Sequence, residues 1–134
     1  MKIFHCNVRV RYAETDRMGY VYYGNYATYF EVARVEALRE LGVTYKSLED
    51  QGVLLPVRHF SIEYKRPAHY DDLLNIQTSI QLQSPTSLLF HYSTYRLDEM
   101  LNTAQTTLVF VDAASGRPMR CPDDIRFLME AVNH

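Results

Sequence analysis

The densest set of groups able to do chemistry lies in one stretch, Tyr12 to Leu41: YAETDRMGYVYYGNYATYFEVARVEALREL. It opens as a short polar turn carrying Glu14, Thr15 and Asp16, with Gly19 three residues after Asp16. Tyr20, Tyr22 and Tyr23 follow, and Gly24-Asn25 leads into a helical pattern. A carboxylate is thus placed in a loop just ahead of a helix start. The first N–H groups of a helix lack partners and its aligned peptide dipoles favour negative charge there. A carboxylate beside such donors suits chemistry on a polarised carbonyl: it attacks or activates water while the helix start stabilises the oxyanion. The competing reading of Asp16 is a loop carboxylate that caps its own turn, a common role for Asp.

The other candidate groups are weaker. Glu14 reads as a solvated loop acid. Glu31 and Glu36 fall on the helix, and Glu31, three residues before Arg34, suits a local ion pair. The five histidines, His5, His59, His69, His91 and His134, show no ligand spacing, so no metal site is expected. Neither Cys6 nor Cys121 has a helix-start histidine partner in sequence, and no G-x-S-x-G elbow is present, which disfavours a serine or cysteine hydrolase. No glycine-rich phosphate cradle appears.

The elements that must position Asp16 are legible from periodicity. Tyr26, Phe30, Ala33, Ala37 and Leu41 form one apolar stripe, with Glu31, Arg34, Glu36, Arg39 and Glu40 mainly on other faces. Asn25 is the expected N-cap and Gly42 the left-handed C-terminal cap. Val8, Val10 and Tyr12 alternate within a first strand over residues 3 to 12. Tyr45 to Gln51 reads as one further helical turn. A second strand spans residues 53 to 66, holding Val57, Phe60, Ile62 and Tyr64 and ending at Pro67, and HYDD (residues 69 to 72) turns after it. Strands follow over residues 73 to 83, around Leu88, Phe90 and Tyr92, and over 101 to 112. Pro122, Asp123 and Asp124 start a last short helix running to about Ala131. Consecutive strands with tight turns predict an antiparallel meander, and one striped helix to cover it makes an α+β two-layer domain.

At 134 residues the chain is expected to be one domain, residues 1-134, without linker or repeat. A 47% hydrophobic content argues against disorder, and a formal charge of −2 leaves no basic footprint for nucleic acid. No apolar run reaches membrane-spanning length and no secretory core opens the chain, so a cytoplasmic protein with both cysteines reduced is expected.

The segment Y-x-x-T-D-x-x-G-x-V-Y-Y-x-N-Y, residues 12 to 26, resembles the opening signature of the 4-hydroxybenzoyl-CoA thioesterase-like branch of the hotdog superfamily. FEVARVEALRELG (residues 30 to 42) resembles that branch's central helix, and IEYKRPAHYDDLL (residues 62 to 74) the strand and turn after it. The resemblance implies a hotdog fold, a long central helix wrapped by a curved five-stranded antiparallel sheet. It implies a homodimer with sheets joined edge to edge, often paired into a homotetramer, acting on an acyl-CoA or acyl carrier protein thioester without a cofactor. It makes Asp16 the catalytic aspartate and the Tyr23 N–H the group that polarises the carbonyl. Gly19, Val21, Tyr22 and Tyr26, with His59 reaching in from the second strand, are then the expected substrate-binding set, and Tyr20 and Tyr23 stand with Tyr22 and Tyr26 around the expected acyl pocket. Arg58, Lys65 and Arg66 are the expected contacts to the coenzyme A phosphates. Some hotdog thioesterases carry their carboxylate on the helix, which keeps Glu31 and Glu36 in reserve. Two departures stand out: Tyr23 replaces a frequent histidine, and Asp71-Asp72 replaces a usual Gly-Asp. The alternatives are a hydratase, which needs a histidine absent from residues 12 to 41, and a non-catalytic acyl-CoA binder.

Overall fold

The computed structural model describes residues 1–133; the fifth histidine, His134, lies outside them. Seven strands and three helices follow in the order β1 (Phe4–Arg9), α1 (Asn25–Glu40), α2 (Tyr45–Asp50), β2 (Val53–Leu54), β3 (Val57–Tyr64), β4 (Leu73–Ser84), β5 (Ser87–Arg96), β6 (Glu99–Val109), β7 (Val111–Asp112) and α3 (Asp123–Val132). A single 3-10 turn, Tyr12–Glu14, stands between β1 and α1. Five strands pair antiparallel in the order β1-β4-β5-β6-β3, and β2 pairs with β7. No helix among the described residues is long and apolar enough to cross a membrane.

Alternation makes the sheet two-faced. Leu74, Ile76, Thr78 and Ile80 of β4 are buried, as are Leu88, Phe90, Tyr92 and Thr94 of β5. Against this face α1 presents Tyr26, Tyr29, Phe30, Ala33, Ala37 and Leu38, all buried. Phe30 stacks on Tyr92 with ring centroids 4.5 Å apart, which fixes the helix over the sheet centre. The stripe read from sequence is therefore the packed face, except that Leu41 is only half-buried. Arg34 departs from expectation: it is buried, not on an outer face.

The meander holds for β4, β5 and β6 but not for β3, which pairs with β6 at the far edge of the sheet. The reason is competition for an edge. β1 pairs with β4 from Phe4↔Thr78 to Arg9↔Leu73, so β4 has no free side left for β3. The expected long second strand is also divided. Pro56 has no N–H to give to a ladder; its carbonyl instead accepts from Val109 N at 3.0 Å. As an edge strand, β3 leaves Val57, Phe60 and Tyr64 exposed, although the Phe60 and Tyr64 rings still meet Phe30 and Tyr26 of α1.

Gly24, not Asn25, is the N-cap of α1. Asn25 is the first helical residue, and its Nδ2 donates to the Glu14 carbonyl at 2.8 Å. At the other end Gly42 adopts φ 86. Gly42 N donates to Arg39 O and Val43 N to Leu38 O, both at 2.9 Å, which satisfies two orphan carbonyls and needs glycine's left-handed freedom.

Candidate active site

The acidic loop is built on Glu14, which is buried, contrary to the solvated acid expected. Its Oε1 accepts from Arg11 N at 2.8 Å and from the Tyr29 hydroxyl at 2.8 Å, while Oε2 accepts from Arg11 Nε and Nη2 at 3.1 and 2.8 Å. Burial pushes the Glu14 carboxyl up, but these bonds from Arg11 and Tyr29 outweigh it and hold it below its ordinary value. The Glu14 carbonyl also accepts from Tyr22 N at 2.8 Å. One residue thus fixes both ends of the loop and the first turns of α1.

Asp16 sits two residues on, at the exposed tip. Its Oδ1 accepts from Met18 N at 2.9 Å and Tyr20 N at 3.1 Å, and its own N–H donates to Tyr20 O at 2.7 Å. Gly19, with φ 80, closes this turn in a conformation that glycine adopts without steric cost. Among the described residues Oδ2 has neither a hydrogen-bond donor nor a cation. The carboxylate therefore caps its turn with one oxygen and leaves the other open.

The chain returns from Asp16 along residues 67 to 69. Val21 N donates to Ala68 O at 2.8 Å, Tyr20 bridges to His69, and the Tyr20 and His69 rings meet edge-on at 5.2 Å. Tyr23 and Gly24 then turn into α1, and Tyr26 N donates to Tyr23 O at 3.3 Å. Among the described residues the Tyr23 N–H finds no acceptor. The arrangement leaves a free backbone donor at a helix start and a free carboxylate oxygen in the loop before it.

Both groups line one cavity of about 450 Å³, walled also by Tyr20, Val21, Tyr26, Tyr64 and the run Lys65-Arg66-Pro67. The Lys65 and Arg66 N–H groups both donate to Leu101 O at 2.9 Å, which brings the end of β3 to the cavity mouth. Arg66 is steadied by Glu99 at 3.2 Å, and Lys65 by Glu63 at 3.7 Å. The Tyr64 hydroxyl donates to Tyr23 O at 3.4 Å, and its ring packs edge-on against Tyr26 at 5.7 Å. Burial pushes the Tyr26 hydroxyl up to about 12 and the Tyr64 hydroxyl above its ordinary value, so both stay neutral near pH 7.

The cavity therefore brings together Asp16, Val21, Tyr23, Tyr26, Lys65 and Arg66 of the residues expected from sequence. Gly19 shapes the loop without lining the wall. Tyr22 turns outward, its ring tilted on that of Tyr23 at 4.7 Å and 47% exposed. Arg58 and His59 lie at the opposite end of β3, His59 across from Thr107, whereas Tyr64 is across from Asn102. At about 3.3 Å per residue that is roughly 16 Å from the cavity mouth within one chain. Tyr20 lines the wall as expected of a pocket tyrosine, and Tyr64 and Pro67 complete the site. Tyr64 has only the period-two spacing of a strand residue in the sequence, and its ring meets Tyr26 where β3 ends beside the loop. On the helix, Glu36 pairs with Arg39 at 3.5 Å, and Glu31 makes no ion pair with Arg34 among the described residues. Neither lines this cavity.

Known proteins resemble the chain along nearly its whole length. An acyl-CoA thioester hydrolase of Escherichia coli, YbgC, is 36% identical over 124 residues, 92% of this chain and 92% of its own. The Haemophilus influenzae acyl-CoA thioesterase YbgC is 34% identical over 124 residues, 92% of this chain and 91% of its own. Among solved structures, a DHNA-CoA thioesterase from Staphylococcus aureus superposes with a TM-score of 0.93 at 31% identity, covering 99% of this chain and 92% of that one. A 4-hydroxybenzoyl-CoA thioesterase shares the fold with a TM-score of 0.87 at 20% identity, over 96% of this chain and 99% of that one. These neighbours are hotdog-fold thioesterases, so the two-layer arrangement of α1 on the five-stranded sheet is a hotdog fold. The profile of the thioesterase-like superfamily matches residues 10–128, and the chain belongs to that family.

Proposed function

We propose that the chain is an acyl-CoA thioester hydrolase, with Asp16 as its catalytic carboxylate and the Tyr23 N–H as its oxyanion donor. The observation that carries this reading is the pair of unsatisfied groups on one cavity: Asp16 Oδ2 and the Tyr23 N–H at the start of α1. A thioester carbonyl oxygen placed at that N–H lies in the positive field of the helix end. Asp16 then takes a proton from water as it attacks the carbonyl carbon, or attacks itself to give a mixed anhydride that water hydrolyses. In both routes the C–S bond breaks and coenzyme A leaves as the thiolate, which is then protonated. No cofactor is needed, because the thioester is already activated. Tyr20, Val21, Tyr26 and Tyr64 form the acyl wall, and Lys65 and Arg66 meet the phosphates at the mouth.

The working unit is a homodimer that pairs into a homotetramer. The exposed edge strand β3, carrying Val57, Phe60 and Tyr64, supports an edge-to-edge partner, since a bare apolar edge invites pairing. Unpaired Cys6 and Cys121 are in keeping with a reducing compartment, the cytoplasm.

The test is thiol release from short, long and aromatic acyl-CoAs by the native chain and Asp16→Asn. The asparagine keeps an oxygen for Met18 N and Tyr20 N, so the turn survives. Turnover lost by 10²-fold or more with binding retained is the expected result. Equal activity overturns the assignment, and binding without turnover in both proteins leaves a non-catalytic acyl-CoA binder.

A further inference from the structure

Arg34 is the only arginine or lysine buried among the described residues. Its Nε donates to the Tyr45 hydroxyl at 3.1 Å, and the Tyr92 hydroxyl lies beside it. These neutral hydroxyls accept hydrogen bonds but leave its charge uncompensated, and no carboxylate pairs with it among the described residues. A buried charge without a counter-charge is among the costliest features a fold carries.

The guanidinium opens onto a cavity of about 260 Å³ between α1 and β3, walled by Ala27, Phe30, Val57 and Phe60. Glu31 stands on the same cavity, exposed and unpaired among the described residues. Both charges thus lack their complement on a surface whose apolar rim, Val57 at 45% and Phe60 at 38% exposure, belongs to an edge strand whose outer side pairs with no strand among the described residues. In a two-fold interface the same patch meets itself, so residue i touches j of the other copy and j touches i.

We infer that Glu31 of the partner subunit supplies the anion that Arg34 lacks, giving two reciprocal ion pairs about the dimer axis. The inference rests on the homodimer reading above and adds which charges fix its register. A small free anion fits less well, because the Glu31 carboxylate on the rim repels it while the walls give it no further donor but the Thr28 and Thr106 hydroxyls. Buried ion pairs of this kind are best attested as devices that select one register over its neighbours. A one-residue slip of β3 against a partner strand would separate both pairs at once.

The test is dimer dissociation of the native chain, Glu31→Gln, Arg34→Gln and the double variant, measured by sedimentation across a dilution series. The expected result is a dimer Kd raised at least tenfold by Glu31→Gln, with no further weakening when Glu31→Gln is added to Arg34→Gln. If Glu31→Gln dimerises like the native chain, the inference falls and the homodimer reading stands. If Arg34→Gln leaves dimerisation intact and raises KM for acyl-CoA, the cavity takes a substrate anion and the inference falls. A native chain that stays monomeric at micromolar concentration removes both readings. Should Arg34→Gln not fold, Glu31→Lys replaces it: a cation facing Arg34 must weaken the dimer more than Glu31→Gln does, and an equal effect overturns the pairing.

Discussion

Glu14 and Tyr29 are joined by a 2.8 Å hydrogen bond that ties the acidic loop to the second turn of α1. The bond spans fifteen residues of chain, and Asp16 and Tyr23 both lie within that span, on the loop and at the helix start that it ties together. The loop on one side and the helix start on the other are held by a carboxylate that does no chemistry.

Tyr29→Phe is expected to destabilise the fold by about 2 kcal/mol, the usual worth of a hydrogen bond to a charged acceptor. Glu14→Gln is expected to cost as much or more, because the Arg11 guanidinium loses its counter-charge. The Glu14 carboxyl is depressed in the folded state, so its contribution is present above its ordinary value of 4.5 and is lost as pH falls through the depressed value. Urea unfolding should therefore show a gap between native and Glu14→Gln that is full at pH 7 and narrows in acid. A gap that persists unchanged at low pH would mean the effect is not electrostatic.

The Tyr23 contribution is assigned to its backbone, and the side chain tests this. Tyr23→His keeps the N–H and the exposed position, so kcat is expected to stay within about one order of magnitude, whereas loss of an oxyanion donor costs about 10²–10³. A drop of the larger size in Tyr23→His would place the phenol, not the amide, in the reaction.

Lys65 and Arg66 line the cavity mouth without touching the carboxylate, so their effect belongs in binding. Lys65→Ala with Arg66→Ala is expected to raise KM for acyl-CoA about tenfold with little change in kcat, since contacts made equally in ground and transition states change KM alone. The defect should shrink as salt is raised, because exposed charges are screened. An acyl-pantetheine substrate, lacking the nucleotide phosphates, should be hydrolysed alike by both proteins.

Much of this architecture is written in local pattern. The α1 stripe, the alternation in β4 and β5 and the Gly42 cap follow from spacings of three, four and two residues. The T-D-x-x-G segment and its tyrosines pointed to the loop that holds Asp16 and Tyr23. What was not legible depends on contacts far apart in sequence. Glu14 looks like any loop acid until Arg11 and Tyr29 are seen to enclose it. Arg34 sits at a polar-looking position, and its burial shows only once the Tyr45 and Tyr92 hydroxyls are seen beside it. The period-two spacing of Phe60, Ile62 and Tyr64 is real, but whether it lies at the sheet centre or at an open edge depends on β1 having taken the side of β4. Tyr64 was missed as a wall residue for that reason.

Two non-glycine residues hold left-handed backbone, Asp71 at φ 68 and Leu97 at φ 54. Asp71 occupies the turn before β4, and its strain comes with two bonds: its N–H donates to Val10 O at 3.0 Å and its carbonyl accepts from Arg9 Nη1 at 2.8 Å. Both bonds use the backbone or its carbonyl, so Asp71→Gly keeps them and removes the Cβ clash. Leu97 heads the tight β5–β6 turn, 92% exposed, with no packing to offset its conformation. Left-handed backbone costs an L-residue roughly 1–2 kcal/mol, less for Asp, whose short polar side chain tolerates it. Glycine returns part of that gain through the greater freedom of the unfolded chain. Leu97→Gly is therefore expected to raise unfolding free energy by about 1 kcal/mol and Asp71→Gly by less, with the order of the two being the informative quantity. Thermal unfolding of both variants checks it. If Asp71→Gly gives the larger gain, the Asp71 side chain is strained by something beyond its backbone, and the neighbouring Asp72 carboxylate, held by Arg96 Nη1 at 2.8 Å, is the charge to remove next.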